Sequence, residues 1–131
     1  IEQGFSVEVI PGPSAITAAV MGAGLDTSHF AFLGFLPQKK KARQKAVINA
    51  AKADLALVIY ESPLRVADLL NELYDYLGTR KIVVARELTK LYETFHRGEL
   101  GGKLSPPLLE KGECVVVVER LELRTKASRA E

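Results

Sequence analysis

The chain of 131 residues contains a single cysteine, Cys114. One cysteine cannot build an internal disulfide framework or a cysteine-based zinc cluster, and it favours a reducing compartment such as the cytoplasm. No apolar run approaches the ~20 residues that a transmembrane helix needs. The sequence also lacks an initiator methionine, and residues 1–4 lack the basic and apolar regions of a signal peptide. We therefore expect a cytoplasmic chain that begins partway through a longer protein.

Common sequence signatures of catalysis are absent as well. The chain contains no glycine-rich dinucleotide motif, no P-loop and no HExxH metal motif. Its two histidines, His29 and His96, have no spacing typical of a metal site or of a nucleophile–base pair. We expect both histidines to be structural and Cys114, which opens an apolar run, to be a core residue.

The chain does have an ordinary globular composition, with basic charge gathered in one stretch. A content of 47% hydrophobic and 26% charged residues is typical of one compact folded domain. Although the formal net charge is only +2, residues 35–53 hold six basic side chains and no acidic one. These side chains form either a solvated helix surface or a contact for an RNA phosphate backbone. The six are Lys39, Lys40, Lys41, Arg43, Lys45 and Lys52.

Hydrophobic periodicity predicts alternating strands and helices. The runs LALVIY at 55–60 and CVVVV at 114–118 predict strands that are buried on both faces. Ser62 and Pro63 predict the cap and the first residue of the helix after the first of these runs. The fold class is therefore α/β, with a mixed or mostly parallel sheet flanked by helices. Strands are predicted at 6–10, 30–36, 55–60, 81–85, 92–100 and 114–118, and helices at 14–21, 39–53 and 63–77.

Three strand ends carry polar or proline-glycine segments that predict a ligand cleft. They are Pro11-Gly12-Pro13-Ser14, Glu61-Ser62-Pro63 with Arg65, and Arg86-Glu87-Leu88-Thr89-Lys90. In open α/β sheets, ligands bind beyond the carboxyl ends of the strands, where main-chain N–H groups face the crevice. Each segment taken alone is equally a turn or a helix start. We expect the three segments to meet at one edge of the sheet.

Five segments give a resemblance to a known family. They read VEVIPGPSAITAAVMGAGL, FLGFLPQKKKAR, VIYESPLRV, VVARELTKLYETFHRGEL and KGECVVVVE, and they span about residues 7–119. The sequence resembles the ribosomal RNA small subunit methyltransferase I family, within the tetrapyrrole (corrin/porphyrin) methylase superfamily. IPGPSA alone indicates the superfamily, whereas its combination with GFLPxKKxxR, YESPxR and RELTKxxE indicates the ribosomal enzymes.

The resemblance implies methyl transfer from S-adenosylmethionine to the ribose 2′-hydroxyl of a cytidine in the 16S ribosomal RNA of the small subunit. It implies a homodimeric class III-type methyltransferase of two α/β domains, which needs no metal and no membrane and folds the cofactor between its domains. This chain would be the C-terminal domain. Residues 1–28 would then be the last strand and linking helix of a missing N-terminal domain, residues 29–119 the C-terminal α/β domain, and residues 120–131 a polar, disordered tail.

The resemblance also assigns roles to residues of this sequence. The hydroxyl must lose a proton to a base, and Glu61, Glu87 and Lys90 are the charged candidates. Each of them alternatively anchors a loop or pairs with Arg65 or Arg86. The RNA-facing surface would hold Lys39, Lys40, Lys41, Arg43 and Lys45. The cofactor would contact Pro11, Gly12, Pro13, Ser14, Tyr60, Glu61, Ser62, Arg86, Glu87, Leu88, Thr89 and Lys90.

Other functions stay open at this point. A tetrapyrrole substrate fits the superfamily, although the basic run at residues 39–45 favours a phosphate backbone. A non-catalytic RNA-binding or dimerisation module fits the chain by itself. Because one half of the cleft is expected to be missing, we expect this chain alone to have little or no activity.

Overall fold

The computed structural model describes residues 1–121. The polar tail predicted at 120–131 therefore lies outside the described residues from residue 122 onward. Within the described part, the helices are α1 (Ala15–Ala23), α2 (Lys40–Lys52) and α3 (Val66–Leu77). The strands are β1 (Phe30–Phe35), β2 (Ala56–Glu61), β3 (Lys81–Arg86), β4 (Thr94–Glu99) and β5 (Cys114–Val118). No helix in this part of the chain is long and apolar enough to cross a membrane.

The strands of the described chain form one mixed sheet in the order β1-β2-β5-β3-β4. Strands β1 and β2 run parallel, β5 runs antiparallel to both β2 and β3, and β4 runs antiparallel to β3. The prediction of an α/β fold with a mixed sheet is confirmed, and the alternative of a mostly parallel sheet is wrong. A short connection joins β3 to β4, and it permits only an antiparallel pair because parallel strands need a long crossover.

Helices cover both faces of the sheet, and the strand side chains alternate between two apolar cores. Ile59 and Val84 belong to the core beneath α2 and α3, where Val116 of β5 lies between them in register. Val58 and Val117 belong to the core beneath α1. Strand β5 is buried along its whole length, as the continuous apolar run predicts. The ends of the strands, rather than their faces, are therefore open to a ligand.

Residues 6–10 differ from the prediction. They form no strand with any other segment of the described chain, and Val9 and Ile10 are 86% and 88% exposed. A strand needs a neighbour to complete its main-chain hydrogen bonds, and none of the described strands lies beside this segment. Helix α1, by contrast, packs on β3 and β5. The domain boundary after residue 28 stays a prediction.

The start of α3 also differs from the prediction. Ser62 and Pro63 lie in a turn, and the helix begins at Val66 with Arg65 as its cap. The Ser62 carbonyl accepts hydrogen bonds from the main-chain N–H groups of Arg65 and Val66, both at 3.0 Å, so this turn closes before the helix begins. One side of α3 is apolar and packs into the core, with Val66, Leu69 and Leu73 buried.

Candidate functional site

The carboxyl ends of β2 and β3 lie at one edge of the sheet, on either side of the start of β5. Cys114, the first residue of β5, is in register with both Glu61 and Arg86. The predicted meeting of these two segments is therefore confirmed. Residues 11–14 are exposed, and a Cβ placed on Gly12 would meet no atom of residues 1–121 within 4 Å. In residues 1–121 the structure does not bring this third segment against the other two.

Glu87 fastens the end of β3 to the loop before β5. Its Oε1 accepts a hydrogen bond of 2.8 Å from the Glu113 N–H, and its own N–H donates to the Glu113 carbonyl at 3.0 Å. Lys90 Nζ lies 3.1 Å from Glu113 Oε2 and 3.5 Å from Glu87 Oε1. Gly112 packs directly against the Glu87 side chain. We call Glu87, Lys90, Gly112 and Glu113 the loop clamp.

The loop clamp sets the protonation of its own members. The hydrogen bond from the Glu113 N–H, followed by the charge of Lys90, lowers the pKa of Glu87. The hydrogen bond to the Glu113 carboxylate raises the pKa of Lys90. A general base works best when its pKa lies near the working pH, and both shifts move away from neutrality. They favour the alternative in which Glu87 and Lys90 anchor the loop rather than accept a substrate proton.

Backbone strain gathers in the same segment. Glu87 and Thr89 have φ angles of 54° and 65°, in the left-handed region that L side chains, and β-branched ones above all, rarely adopt. Such a conformation costs on the order of 1–3 kcal/mol per residue and is found preferentially at binding sites. On the facing loop, Gly112 has a φ of 85°, and a Cβ there would lie 2.7 Å from Glu87 Cγ. The surrounding structure therefore holds residues 87–89 in one specific shape.

Arg86 lies beneath this segment and is only 6% exposed. Its Nε donates to His96 Nε2 at 3.4 Å, and its Nη2 donates to Thr94 Oγ1 at 3.3 Å. His96 Nδ1 lies 2.7 Å from the Pro106 carbonyl. Because a carbonyl only accepts, Nδ1 carries the hydrogen and Nε2 offers its lone pair to Arg86. The buried His96 is structural, as predicted, but its role as the partner of Arg86 was not.

Glu61 closes the turn at the end of β2. Its Oε1 accepts hydrogen bonds from the Ser62 N–H at 2.7 Å and from Arg65 Nε at 3.1 Å. The Glu61 side chain is 12% exposed, whereas that of Arg65 is 66% exposed. The carboxylate thus fixes the turn, and the arginine extends from it toward solvent.

Two cavities flank this edge of the sheet. One lies at the end of β3 and has a volume of about 470 Å³. It is lined by Arg86, Glu87, Tyr92, Leu109, Lys111 and Gly112. The other lies at the end of β2, has a volume of about 560 Å³, and is lined by residues of β1, α2 and α3 as well as Glu61. Both volumes suit a small organic ligand or part of a larger one.

Comparison with known proteins decides the family. The sequence model of the Tetrapyrrole (Corrin/Porphyrin) Methylases matches residues 1–103. The chain belongs to this family. In shape, the tetrapyrrole methylase chain resembles the crystal structure of the methyltransferase CobJ, with a TM-score of 0.67 and 22% sequence identity over 93% of this chain and 54% of that one. That likeness concerns the fold.

Curated relatives of this tetrapyrrole methylase chain carry the name ribosomal RNA small subunit methyltransferase I, in agreement with the predicted resemblance. The protein of Halalkalibacterium halodurans is 40% identical over 91% of this chain and 42% of its own length. That of Thermotoga maritima is 37% identical over 92% of this chain and 54% of its own length. That of Escherichia coli O157:H7 is 39% identical over 90% of this chain and 43% of its own length. The chain spans about half the length of the curated relatives it matches.

Helix α2 of the methylase chain presents the predicted basic surface. Val47 is buried on the side toward the sheet, whereas Lys41, Lys45 and Lys52 are exposed on the other side. We call these three exposed residues the lysine face. Lys39 and Lys40, at the start of the helix, are exposed as well. Helix α2 therefore has one side that packs on the core and one exposed basic side.

Arg43 does not belong to that basic surface. Its Nε and Nη2 each donate to a Glu72 carboxylate oxygen at 2.6 Å, and its Nη1 donates to the Gln38 carbonyl at 2.7 Å. The hydrogen bonds from Arg43 lower the pKa of Glu72, and the carboxylate in turn raises the pKa of Arg43. The assignment of Arg43 to the RNA-facing surface is therefore corrected: this guanidinium is used to join α2 to α3.

Sequence reasoning did not find Gly112 and Glu113. They lie in a loop far along the chain from Glu87, and no local pattern connects residues that are 26 positions apart. The glycine itself was the available signal, since a glycine before a buried strand often marks a close approach of two backbones. In the described part of the chain, no group of three or more His, Cys, Asp or Glu side chains is placed to hold a metal ion.

Proposed function

We propose that this chain forms part of a methyltransferase that uses S-adenosylmethionine to methylate the ribose 2′-hydroxyl of a cytidine in 16S ribosomal RNA. The observation that carries the proposal is the identity of about 40%, over nine-tenths of the chain, with relatives named ribosomal RNA small subunit methyltransferase I. The exposed lysine face supports an RNA substrate, because lysines contact phosphates without regard to sequence.

The carboxyl edge of the sheet fits one side of a cofactor site. A cavity of about 470 Å³ lies at the end of β3, and Glu87, which has a strained main chain, lines it. The residues proposed to hold the cofactor are Tyr60, Glu61, Ser62, Leu88 and Thr89. Arg86 is buried and supports this segment from below, while Glu87 and Lys90 shape it through the loop clamp. Pro11, Gly12, Pro13 and Ser14 stay predicted contacts.

The bound cofactor supplies an activated methyl group on a sulfonium. The carbon–sulfur bond breaks as the new carbon–oxygen bond forms in line with it, so the contribution of this chain is mainly to position the two reactants. The 2′-hydroxyl proton must also leave. Among the three candidate bases, Glu61 is the one outside the loop clamp, and it accepts both of its hydrogen bonds through Oε1. We assign the proton-accepting role to Glu61.

The partners in this proposal are the small ribosomal subunit, with its 16S RNA, and a second copy of the protein in a homodimer. The place of action is the cytoplasm, where ribosomal subunits are found. The activity belongs to the full-length protein in this proposal, and the prediction that the present chain alone has little activity is part of it.

The test uses the full-length protein, isolated small ribosomal subunits and methyl-labelled S-adenosylmethionine. We expect label in the RNA, and digestion of that RNA should yield 2′-O-methylcytidine. Glu61→Gln should lower kcat, measured at saturating S-adenosylmethionine so that a loss of cofactor affinity does not contribute to the change. A parallel reaction supplies a porphyrinogen in place of the ribosomal subunits. Label that enters the porphyrinogen but not the RNA would establish the tetrapyrrole alternative. Binding of small subunits without any methyl transfer would establish the non-catalytic alternative.

A further inference from the structure

The ring of Phe35 is exposed and contacts a neighbouring aromatic ring. It is 69% exposed, at the last position of β1, beyond a register irregularity in the β1–β2 pairing between Phe32 and Gly34. Tyr60 contacts it edge to face, with ring centroids 5.7 Å apart, and Phe32 contacts Tyr60 in the same way at 5.0 Å. Phe35 thus offers a flat apolar surface to solvent beside Tyr60.

Phe35 borders the cavity of about 560 Å³ at the end of β2. Leu36 and Leu69 form apolar parts of the cavity wall. The Arg43–Glu72 ion pair forms a polar part of the wall, and its two N–H···O hydrogen bonds measure 2.6 Å. A partly apolar cavity of this size, with an aromatic ring at its border, suits a planar heterocycle.

Two charged side chains in the same wall remain available for a ligand. Asp68 is exposed and takes part in none of the ion pairs found within residues 1–121. Arg65 is bound to Glu61 through Nε, while its side chain is 66% exposed. A carboxylate accepts hydrogen bonds from the exocyclic amine of cytosine or adenine, whereas it repels the carbonyl of uracil. A guanidinium binds phosphate.

The position of the cavity connects the other parts of the site. Glu61 lines it on the side of the sheet edge, and Gln38 and Arg43 line it at the start of α2. A strand of RNA that contacts the lysines of α2 can therefore turn a nucleotide into this cavity while its ribose stays near Glu61.

We infer that the cavity at the end of β2 receives the base of the nucleotide to be methylated, with Phe35 as the stacking surface and Asp68 as the acceptor for an exocyclic amine. This inference rests on the proposed function. Recognition of single nucleotides in RNA commonly combines stacking on an aromatic ring with hydrogen bonds to the base edge.

The first test measures methylation of small ribosomal subunits by full-length Phe35 variants. Loss of base stacking typically weakens binding roughly tenfold to a hundredfold, so Phe35→Ala should raise KM for the RNA by about that factor. Phe35→Leu keeps apolar bulk without a flat face and should behave like alanine, whereas Phe35→Tyr should restore KM to within about threefold. Cofactor affinity and the melting temperature of each variant are measured alongside.

Phe30→Ala is the matched control. Phe30 also lies on β1 and is 39% exposed, but it does not line the cavity. This variant should leave KM for the RNA unchanged. An unchanged KM in both Phe35→Ala and Phe35→Leu, with the parent active, would overturn the stacking role while leaving the proposed function intact. A parent that methylates no RNA would overturn the proposed function and this inference with it.

The second test addresses the carboxylate. Small subunits in which the target cytidine is replaced by uridine keep the 2′-hydroxyl but present a carbonyl in place of the amine. The parent protein should show a kcat/KM at least roughly tenfold lower on uridine than on cytidine. Asp68→Asn, whose side chain both donates and accepts, should reduce this preference severalfold. A preference that is the same in parent and Asp68→Asn would overturn the role of Asp68.

Discussion

Replacement of Gly112 by alanine should destabilise the fold far more than a similar replacement elsewhere. Two costs add at this position. An alanine at the φ of 85° found here costs roughly 1 kcal/mol, because L residues disfavour the left-handed region. The new Cβ would also lie 2.7 Å from Glu87 Cγ and 2.8 Å from its Oε1. Overpacking of this kind costs typically ~1–3 kcal/mol, so the total is roughly 2–4 kcal/mol.

Gly24→Ala provides the comparison, because Gly24 lies in the left-handed region with a φ of 68° and a new methyl group would meet Arg97 Nη1 at 3.7 Å, an ordinary contact distance. It carries the backbone cost alone, roughly 1 kcal/mol. Unfolding of the two variants by urea should therefore give a difference of about 1–3 kcal/mol between them. Equal losses of stability in the two variants would refute the steric account of the loop clamp.

A double-mutant cycle locates the source of the additional cost. The Glu87 side chain can retreat from the new methyl group only if it gives up its hydrogen bond to the Glu113 N–H. In a Glu87→Gly background this conflict is absent, so Gly112→Ala should there cost no more than Gly24→Ala. A cost in that background as large as in the parent would show that some other contact opposes the methyl group.

Three further outcomes are expected. Charge reversal at Lys41 and Lys45 should weaken binding of small ribosomal subunits and lower the slope of log affinity against log salt by more than about one, with cofactor affinity unchanged; equal slopes would contradict the RNA contact. Arg43 lowers the pKa of Glu72 below its ordinary 4.5. The ion pair therefore stabilises the fold fully above about pH 4.5, and this stabilisation is lost as the pH falls through the lowered pKa of Glu72 in the folded protein. Arg43→Met should hence cost about 1 kcal/mol in urea unfolding at about pH 7 and clearly less at about pH 3, and an equal cost at both would contradict this. Burial raises the pKa of Cys114, so a thiol reagent at about pH 7 should label it only after unfolding; rapid labelling of the native protein would contradict its burial.

The elements of this fold follow closely from local patterns, while their arrangement does not. The run CVVVV predicts a strand with both faces buried, and β5 is such a strand. Nothing within those five residues specifies that β5 inserts between β2 and β3. The prediction for residues 6–10 shows the same limit, because an apolar alternation describes a strand only if a neighbour completes its hydrogen bonds.

The site was predictable to a similar degree. The polar ends of β2 and β3 could be identified because ligands bind beyond strand ends, and the structure places Glu61 and Arg86 on either side of Cys114. The interactions that define the roles of the charged residues could not be identified. Arg43 and Glu72 are 29 positions apart, and the helix pattern that makes Arg43 part of a basic run contains no information about the partner on α3.

The central place of β5 has a consequence for the order in which the chain can fold. Strand β5 follows the other four in sequence but separates β1–β2 from β3–β4 in the sheet. Until residues 114–118 emerge from the ribosome, β2 and β3 each expose a row of unpaired main-chain groups, which are the groups that recruit foreign strands. The two halves of the sheet can form early, but they are joined last, and the two segments of the candidate site meet only at that moment.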